Sequence, residues 1–334
     1  MHRLARYLCR PHAGQRFTAN EQEYEFRGDL GNGAVGLVRK AHNLATGQIV
    51  AVKVLAPDPK YIDPAAFDDV EQRFRREGSR GARLSDENLV KIIAYESNEN
   101  GSCFRDARVK NPFIVMEYIK GRTLESLIKK IGNLSQPGET HVTKQTLTIA
   151  HQIAKALHYL HDLKIVHRDV KPANVFLSSA NPDTIPSVVK LGDFGVTKWG
   201  DFLATAASGT LTVTRQQGLG TLKYMSPEQA VRPKDVNVRS DMFSLGITLY
   251  ELFTGQVLPS PHHVFEIMSA RANREGTGAK LITLGLKCPF ERVWLFELIL
   301  DMFLTSPKGR PTSTATAGRL LYMLERLYPG AEPI

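Results

Sequence analysis

Three glycines, Gly31, Gly33 and Gly36, follow the spacing Gly-x-Gly-x-x-Gly and are the first residues whose pattern suggests chemistry. Backbone N–H groups can approach a phosphate closely where no side chain intervenes, and glycine-rich loops use this property. In a dinucleotide-binding unit the motif opens a helix, but here residues 37–39 read as a continuing strand and no strand–helix–strand pattern follows. The spacing therefore predicts a glycine-rich flap that lies over phosphate groups.

Further motifs carry groups that suit anionic ligands. Residues 167–174 read HRDVKPAN, which places a carboxylate, an ammonium group and an amide close together, and an Asp-Phe-Gly triplet begins at Asp193. Lys53 lies inside the apolar run of residues 51–55, shortly after the glycines. An isolated lysine in a strand is usually a surface charge that points into solvent, so the interpretation of Lys53 depends on the other motifs.

The elements that must hold these motifs follow from the spacing of apolar residues. Short β-rich runs broken by glycines over residues 24–55 predict an antiparallel sheet. A helix is predicted from residue 63 onward, and strand-like runs follow at 89–95 and 113–116. Beyond residue 121 the pattern becomes that of amphipathic helices. These helices are predicted at residues 124–130, 145–161, 241–253, 290–304 and 311–327.

Together, the motifs resemble those of the eukaryotic-type protein kinases over residues 24–328. The tetrapeptides FRRE at 74–77 and SPEQ at 226–229 are most similar to the eukaryotic-like Ser/Thr kinases of bacteria. The resemblance implies an α+β, bilobal fold with a small five-stranded antiparallel sheet and one helix in the N-lobe and a mainly helical C-lobe. The implied boundaries are a flexible basic tail (1–23), the N-lobe (24–116), a hinge (117–121), the C-lobe (122–328) and a C-terminal tail (329–334).

The resemblance assigns roles in binding ATP and its metal ion. Lys53 would pair with the α- and β-phosphates, and Glu77 on the first helix would hold Lys53 through an ion pair. Asp193 would bind the Mg²⁺ that bridges the β- and γ-phosphates, and Asn174 would complete a second metal site through its amide oxygen. Mn²⁺ is an alternative ion for these ligands.

The same resemblance assigns the phosphoryl-transfer step. Asp169 would orient a substrate hydroxyl and accept its proton, and Lys171 would neutralise the charge that develops on the transferred phosphoryl group. Lys171 and the substrate-facing Thr221 match the pattern of Ser/Thr-specific kinases, since tyrosine kinases usually lack a lysine at the first of these positions. The expected activity is therefore transfer of the ATP γ-phosphate to Ser or Thr hydroxyls of proteins.

The resemblance places the adenine between Val38 and Ala51 on one side and Phe176 on the other. Its edge would hydrogen-bond the hinge backbone at Glu117 and Ile119. Simple core packing is the alternative explanation for the apolar members of this set. The nucleotide-binding residues implied are Leu30, Gly31, Gly33, Gly36, Val38, Ala51, Lys53, Glu77, Met116 as the gatekeeper, Glu117, Ile119 and Phe176.

Residues 193–228 resemble an activation segment. We expect autophosphorylation at Thr212 or Thr214, because both lie some distance ahead of the substrate-facing threonine, as in the bacterial relatives. Arg168 and Lys198 would form the basic pocket that binds the resulting phosphate.

Other positions concern the framework rather than the reaction. Glu228 would form a buried ion pair with Arg310, and Asp241 would anchor the catalytic loop from below. Gly78 and Gly81 lie in the first helix, where an interior glycine costs about 1 kcal/mol relative to alanine. Two explanations for these glycines stay open at this stage, a mobile helix and tight packing against the C-lobe that requires small residues.

The composition is that of a soluble globular protein, with 42% hydrophobic and 23% charged residues. The formal net charge is +9, and residues 1–20 contribute four arginines and no acid. We interpret this segment as a disordered basic leader, with a membrane-surface arm or an organellar transit peptide as alternatives. Three widely separated cysteines fit a reducing cytoplasm, and no apolar run reaches the length of a transmembrane helix.

The expected partners are proteins with Ser or Thr acceptors. Nucleic acid is not expected, because no aromatic and basic stripe suggests base stacking. Similar kinases pair back to back, which makes a homodimer through the N-lobe a further expectation. Two other functions compete. A pseudokinase-like scaffold usually lacks the metal-binding aspartate or the phosphate-binding lysine, and a small-molecule phosphotransferase lacks the Pro-Glu that ends the segment here at 227–228.

Overall fold

The structure of this chain is a computed structural model in which two compact units are described. The first unit holds the described residues up to Asp86 together with Val90–Tyr118, and the second holds Glu87–Leu89 and the described residues from Ile119 onward. The change of unit after Tyr118 falls inside the segment predicted as a hinge. The described residues are 10–33, 35–58, 65, 67–98, 103, 111–135, 139–178, 188–193, 223–231, 233–256 and 293–330.

The first unit is built on a six-stranded antiparallel sheet with the order β1-β2-β3-β4-β6-β5. Neighbouring strands pair through short connections up to β4, and β6 then lies between β4 and β5. The strands are β1 (Arg16–Ala19), β2 (Gln22–Asn32), β3 (Gly36–Asn43), β4 (Ile49–Leu55), β5 (Ile92–Glu96) and β6 (Phe113–Glu117).

Strand β1 lies inside the segment predicted as a flexible tail (1–23), so the prediction was wrong for Arg16–Ala19, and the sheet has six strands where five were predicted. The residues of β1 alternate so that Phe17 and Ala19 are each only 1% exposed, and Phe17 stacks on Phe26 with the ring centroids 4.5 Å apart. Phe113 on β6 meets the same ring edge-on at 5.3 Å. Burial of these aromatic rings offsets the entropy cost of ordering the strand. The basic composition of the region gave no indication of this burial.

The sheet is curled, so that its two edge strands, β1 and β5, approach each other. The backbone N–H of Asn20, in the turn after β1, donates to a carboxylate oxygen of Glu96 at the end of β5 at 3.0 Å. The rings of Phe17, Tyr24 and Phe113 lie in the core of the unit, together with apolar side chains of β3 and β4.

Helix α1 (Phe67–Gly81) belongs to the first unit. Residues 63, 64 and 66, at the predicted start of the helix, lie outside the described residues. Acids at Asp68 and Asp69 lie in its first turn and Arg80 lies in its last, which is the charge order that the helix dipole favours. Phe74 and Glu77, one turn apart, are buried on the same face.

The second unit is mainly helical, as the resemblance implied. A small antiparallel sheet orders β7 (Gly121–Thr123), β8 (Val175–Ser178) and β9 (Val188–Leu191) side by side. No helix within the described part of the chain is long and apolar enough to span a membrane. The helices are α2 (Leu124–Leu134), α3 (Lys144–Asp162), α4 (Pro227–Val231), α5 (Val238–Thr254), α6 (Val293–Met302) and α7 (Ser313–Leu327).

Helix α5 forms the centre of the second unit. Asn237 caps its N-terminus, since its side chain accepts the N–H of Arg239 and its own N–H donates to Ser240. Gly255 ends the helix with φ +65°, the left-handed conformation that glycine adopts at low cost. All of its residues from Ser240 to Thr254 are buried. A charged side chain on this part of the helix therefore needs hydrogen-bond or ionic partners.

Candidate active site

Lys53 of the first unit lies on β4 and forms an ion pair with Glu77 on helix α1. The ammonium nitrogen is 2.6 Å from Oε1 of Glu77, and the two side chains are 15% and 10% exposed. Lys53 also lies 5.9 Å from the ring centroid of Phe74, one turn before Glu77. The structure thus brings together the lysine and the acid that the resemblance assigned to each other.

The three glycines of the flap have different surroundings. A Cβ at Gly36 would lie 2.1 Å from the carbonyl oxygen of Val54, so the close pairing of β3 with β4 requires glycine there. A Cβ at Gly31 would meet nothing within 4 Å, and one at Gly33 would meet the carbonyl oxygen of Gly36 at 3.8 Å. The N–H of Gly33 donates to that carbonyl at 2.8 Å, which closes the tip of the loop.

The other nucleotide-binding candidates of the first unit lie around the middle of the sheet. Val38 pairs with Lys53 in the register of β3 and β4, and Ala51 pairs with Met116 in that of β4 and β6. The carboxylate of Glu117 accepts the N–H of Lys91 at 2.7 Å. The structure also places Leu30 on β2 as an exposed side chain, 44% accessible.

The second unit carries the catalytic loop, in which the carboxylate of Asp169 is the central acceptor. Its Oδ2 accepts from the ammonium group of Lys171 at 3.0 Å and from the amide nitrogen of Asn174 at 2.9 Å. The same amide donates to the backbone carbonyl of Asp169 at 2.8 Å. A 3₁₀ turn over Pro172–Asn174 returns the chain toward Asp169. Because Asn174 uses its nitrogen for both bonds, its amide oxygen is left to act as a ligand.

Asp193 follows β9 in a conformation that costs energy. Its φ is 58°, in the left-handed region, as is that of Arg168 at 66°. Such residues persist where their surroundings hold them, at a cost of about 1–3 kcal/mol each. The N–H of the preceding Gly192 donates to the carbonyl of Asn174 at 2.9 Å, which links the end of β9 to the catalytic loop. Ile119 and Phe176 also belong to this unit, and Phe176 pairs with Lys190 on β9.

Asp241 on helix α5 is fully buried and accepts three hydrogen bonds. Oδ1 accepts the backbone N–H of Arg168 at 2.7 Å, and Oδ2 accepts that of His167 at 2.8 Å. Oδ2 also accepts from Nε2 of His161 at 2.9 Å. The carboxylate therefore fixes the backbone immediately before Asp169.

His167 lies in the same network and has the contacts of a neutral imidazole. Complete burial lowers its pKa, and the nearby carboxylates of Asp241, Asp169 and Asp193 oppose that shift without reversing it. Neutrality fits its contacts, since Nε2 lies 3.2 Å from the carbonyl of Gly192 and Nδ1 accepts the N–H of Asp169 at 3.3 Å. Nε2 is thus the protonated nitrogen.

Arg310 and Glu228 form the buried ion pair expected of them. The guanidinium binds both carboxylate oxygens, at 2.6 and 2.8 Å, and the two side chains are 0% and 4% exposed. Burial alone would raise the pKa of Glu228, but hydrogen bonds from Arg310 and Ser240 outweigh burial and lower the pKa. The pair joins α4 to the segment just before α7.

Three supporting residues were missed in the sequence. His161 binds Asp241 and lies 3.0 Å from Ser313, Gln229 donates to the carbonyl of Arg168 at 3.1 Å, and Glu251 binds both Lys223 and Tyr224. Their partners are distant in sequence, so no local spacing could have revealed them. The SPEQ motif was the available signal for Gln229.

The structure leaves several predictions untested. Thr212 and Thr214, the predicted phosphorylation sites, lie outside the described residues. So do Lys198 of the predicted phosphate pocket and the substrate-facing Thr221. Arg168 is described, with its backbone held by Asp241 and Gln229.

The chain belongs to the protein kinase domain family, whose model matches residues 24–318. It is 39% identical over 231 residues to a probable serine/threonine-protein kinase PknB of Bifidobacterium longum, across 68% of this chain and 29% of that protein. It is 35% identical over 233 residues to serine/threonine-protein kinase PknB of Mycobacterium tuberculosis, across 70% of this chain and 32% of that protein. The chain thus spans about a third of the length of these curated relatives.

Solved structures agree on the fold. The crystal structure of the Mycobacterium tuberculosis PknI kinase domain matches with a TM-score of 0.61 over 94% of this chain and 99% of that one. At 22% identity this likeness shows the fold alone. The family and the α+β kinase fold predicted from the motifs are both confirmed.

Proposed function

We propose that this chain is an ATP- and Mg²⁺-dependent serine/threonine protein kinase, which transfers the γ-phosphate of ATP to protein hydroxyl groups. The observation that carries the proposal is the arrangement around Asp169, whose buried carboxylate accepts from Lys171 and Asn174. The names of the bacterial relatives support the choice of Ser and Thr as acceptors.

Asp169 has the properties of the group that orients the acceptor. Two donors on one of its oxygens, together with the bond from Asn174 to its backbone, fix the direction of the carboxylate. A fixed carboxylate can accept the hydrogen bond of a Ser or Thr hydroxyl and then its proton. Lys171, held beside it, supplies positive charge for the phosphoryl group as charge develops there.

The remaining residues fit a nucleotide with its metal ion. Asp193 and Asn174 offer a carboxylate and an amide oxygen, which are ligands that Mg²⁺ and Mn²⁺ accept. The bound ion would neutralise charge on the phosphates during transfer. Lys53, paired with Glu77, would bind the α- and β-phosphates from the first unit.

Radiolabelled ATP tests the proposal directly. The purified chain with Mg²⁺ and a generic protein acceptor should incorporate label on Ser and Thr. Asp169→Asn and Lys53→Met should each reduce the rate by on the order of 10²- to 10³-fold. Equal incorporation by all three proteins would refute the catalytic assignment, and label confined to Tyr would refute the substrate class.

We also propose autophosphorylation at Thr212 or Thr214, which a phosphosite map of the purified protein can test. A Thr212→Ala/Thr214→Ala variant should then lose the modification and part of the activity. An unmodified segment in fully active protein would contradict this second proposal and leave the kinase assignment intact.

A further inference from the structure

Helix α1 contacts strand β5 at Gly78. A Cβ on Gly78 would lie 2.4 Å from Cδ2, 2.8 Å from Cγ and 2.9 Å from Cβ of Tyr95. Separations below 3.0 Å require something to shift. Cβ and Cγ are the fixed end of the tyrosine side chain, so a change of rotamer leaves at least the Cβ in the way. A larger residue at this position must therefore move the helix away from the strand.

The sheet connects this contact to Lys53. In the strand register Tyr95 on β5 pairs with Ile114 on β6, and Ile114 pairs with Lys53 on β4. Directly paired residues project from the same face of a sheet, so Tyr95 and Lys53 are two strands apart in one row. Helix α1 lies on that face, with Glu77 at Lys53 and the adjacent Gly78 at Tyr95.

We propose that Gly78 is a positioning residue that sets the distance from helix α1 to the sheet and thereby forms the ion pair between Lys53 and Glu77. This inference rests on the proposed function, in which Lys53 binds the phosphates of ATP. For Gly78 it favours close packing over a mobile helix, but the packing partner is strand β5 of the same unit and not the C-lobe predicted from the sequence.

The distances indicate the size of the effect. A methyl group at Gly78 needs about 1 Å more room to reach ordinary contact with Cδ2 of Tyr95, since such contacts lie at 3.4–4 Å and the present separation is 2.4 Å. A similar movement of Glu77 would take its 2.6 Å contact with Lys53 beyond hydrogen-bond range. Displacements of about 1 Å at a reacting site cost up to 10²-fold in rate.

The first experiment compares kcat and KM for ATP of the full chain and of Gly78→Ala. We expect kcat/KM to fall by on the order of 10- to 10²-fold. Gly318→Ala is the matched control, because Gly318 also lies in a helix, α7, and a Cβ there meets nothing within 4 Å. That control should retain wild-type activity. Activity of Gly78→Ala within about twofold of wild type would overturn the inference.

The second experiment asks whether the effect acts through Glu77. Glu77→Gln is measured alone and combined with Gly78→Ala. If the glycine acts by placing Glu77, Glu77→Gln should lower the activity of Gly78→Ala by no more than about twofold, because both substitutions act on the same ion pair. A purely structural role for the glycine predicts the same fold loss from Glu77→Gln in both backgrounds, and that result would overturn the inference.

Tyr95→Ala provides a partial rescue, since it removes the two nearest atoms, Cδ2 and Cγ, and leaves only the Cβ of residue 95, at 2.9 Å and just below the 3.0 Å limit. Gly78→Ala/Tyr95→Ala should be more active than Gly78→Ala, and it should fold even if the single variant does not. Failure of the double variant to fold or to recover activity would contradict the contact as the cause. If Glu77→Gln alone leaves activity unchanged, the proposed function of the ion pair fails as well; if only Gly78→Ala is harmless, this inference fails alone.

Discussion

The two units hold their candidate functional residues by different kinds of contact. In the second unit, Asp241 fixes the catalytic loop by hydrogen bonds to the backbone of His167 and Arg168. In the first unit, Lys53 and Glu77 meet because a helix lies close enough to a sheet. A buried carboxylate that accepts backbone N–H groups fixes the conformation of the loop itself. An ion pair between a helix and a sheet, in contrast, depends on the position of both elements. The ion pair of the first unit is therefore the one that a change in packing can disrupt without unfolding the chain.

Removal of Asp241 should have the largest effect. Asp241→Ala leaves three donors without an acceptor, and each unsatisfied group costs about 1–3 kcal/mol, so we expect a loss of about 3–9 kcal/mol together with loss of activity. Asp241→Asn, which keeps one carbonyl oxygen, should lose less. Urea unfolding and kcat measure both. A loss of activity with an unchanged unfolding midpoint would show that the loop is not anchored in this way.

Removal of the ion pair between Glu228 and Arg310 should have the second largest effect. It should lower the free energy of unfolding more than it lowers the catalytic rate. Arg310→Met leaves a buried carboxylate unpaired, which costs about 3–5 kcal/mol. The pKa of Glu228 is lowered in the folded chain, so its stabilisation is complete above the ordinary value of 4.5 and is lost as pH falls through the folded pKa. The difference in unfolding free energy between wild type and Glu228→Gln should therefore shrink as pH falls below about 4.5. A constant difference from pH 7 to pH 3 would contradict this linkage.

Glu77→Gln should separate activity from stability. We expect kcat/KM for ATP to fall by on the order of 10- to 10²-fold, while the unfolding midpoint changes little, because the amide fits the same space. Comparison with Asp241→Asn sharpens the contrast between the two units, since that variant should lose both activity and stability. Equal losses of stability in the two variants would erase the distinction between them.

Glu87→Gln should have the smallest effect. Glu87 pairs with Lys155 at 2.6 Å, the same distance as for Lys53 and Glu77, but the two side chains are 65% and 38% exposed. Solvent screens such pairs, which contribute about 0–1 kcal/mol. Thermal unfolding and kcat should stay at wild-type values. A large change would mean that distance rather than burial decides the strength of these pairs.

The sequence was most informative where chemistry requires fixed residue types at short spacing. The segment 167–174 identified Asp169, Lys171 and Asn174, and the structure brings the three side chains together. The role of His161 was not predicted, because it depends on a contact with Asp241, 80 positions away in the sequence. Contacts of that kind are set by how helices pack, which a single sequence does not display.

Strand β1 and Gly78 show the limits of composition and propensity. Four arginines and no acid in residues 1–20 suggested a disordered tail, yet Arg16–Ala19 forms a strand because Phe17 has an aromatic cluster to enter. A helix propensity scale counts Gly78 as a cost of about 1 kcal/mol. The close approach of Tyr95 explains why glycine occurs at this position despite its low helix propensity, and no local sequence pattern indicates that contact.

The aromatic cluster of the first unit also bears on how the chain is made. Phe17 packs on Phe113, 96 positions later. At ribosomal speeds of about 5–20 residues per second, roughly 5–20 s separate the synthesis of the two rings. The β1–β2 hairpin can form early, but its apolar face must stay exposed until β6 leaves the ribosome. Nascent chains of this protein should therefore bind chaperones until β6 has emerged from the ribosome.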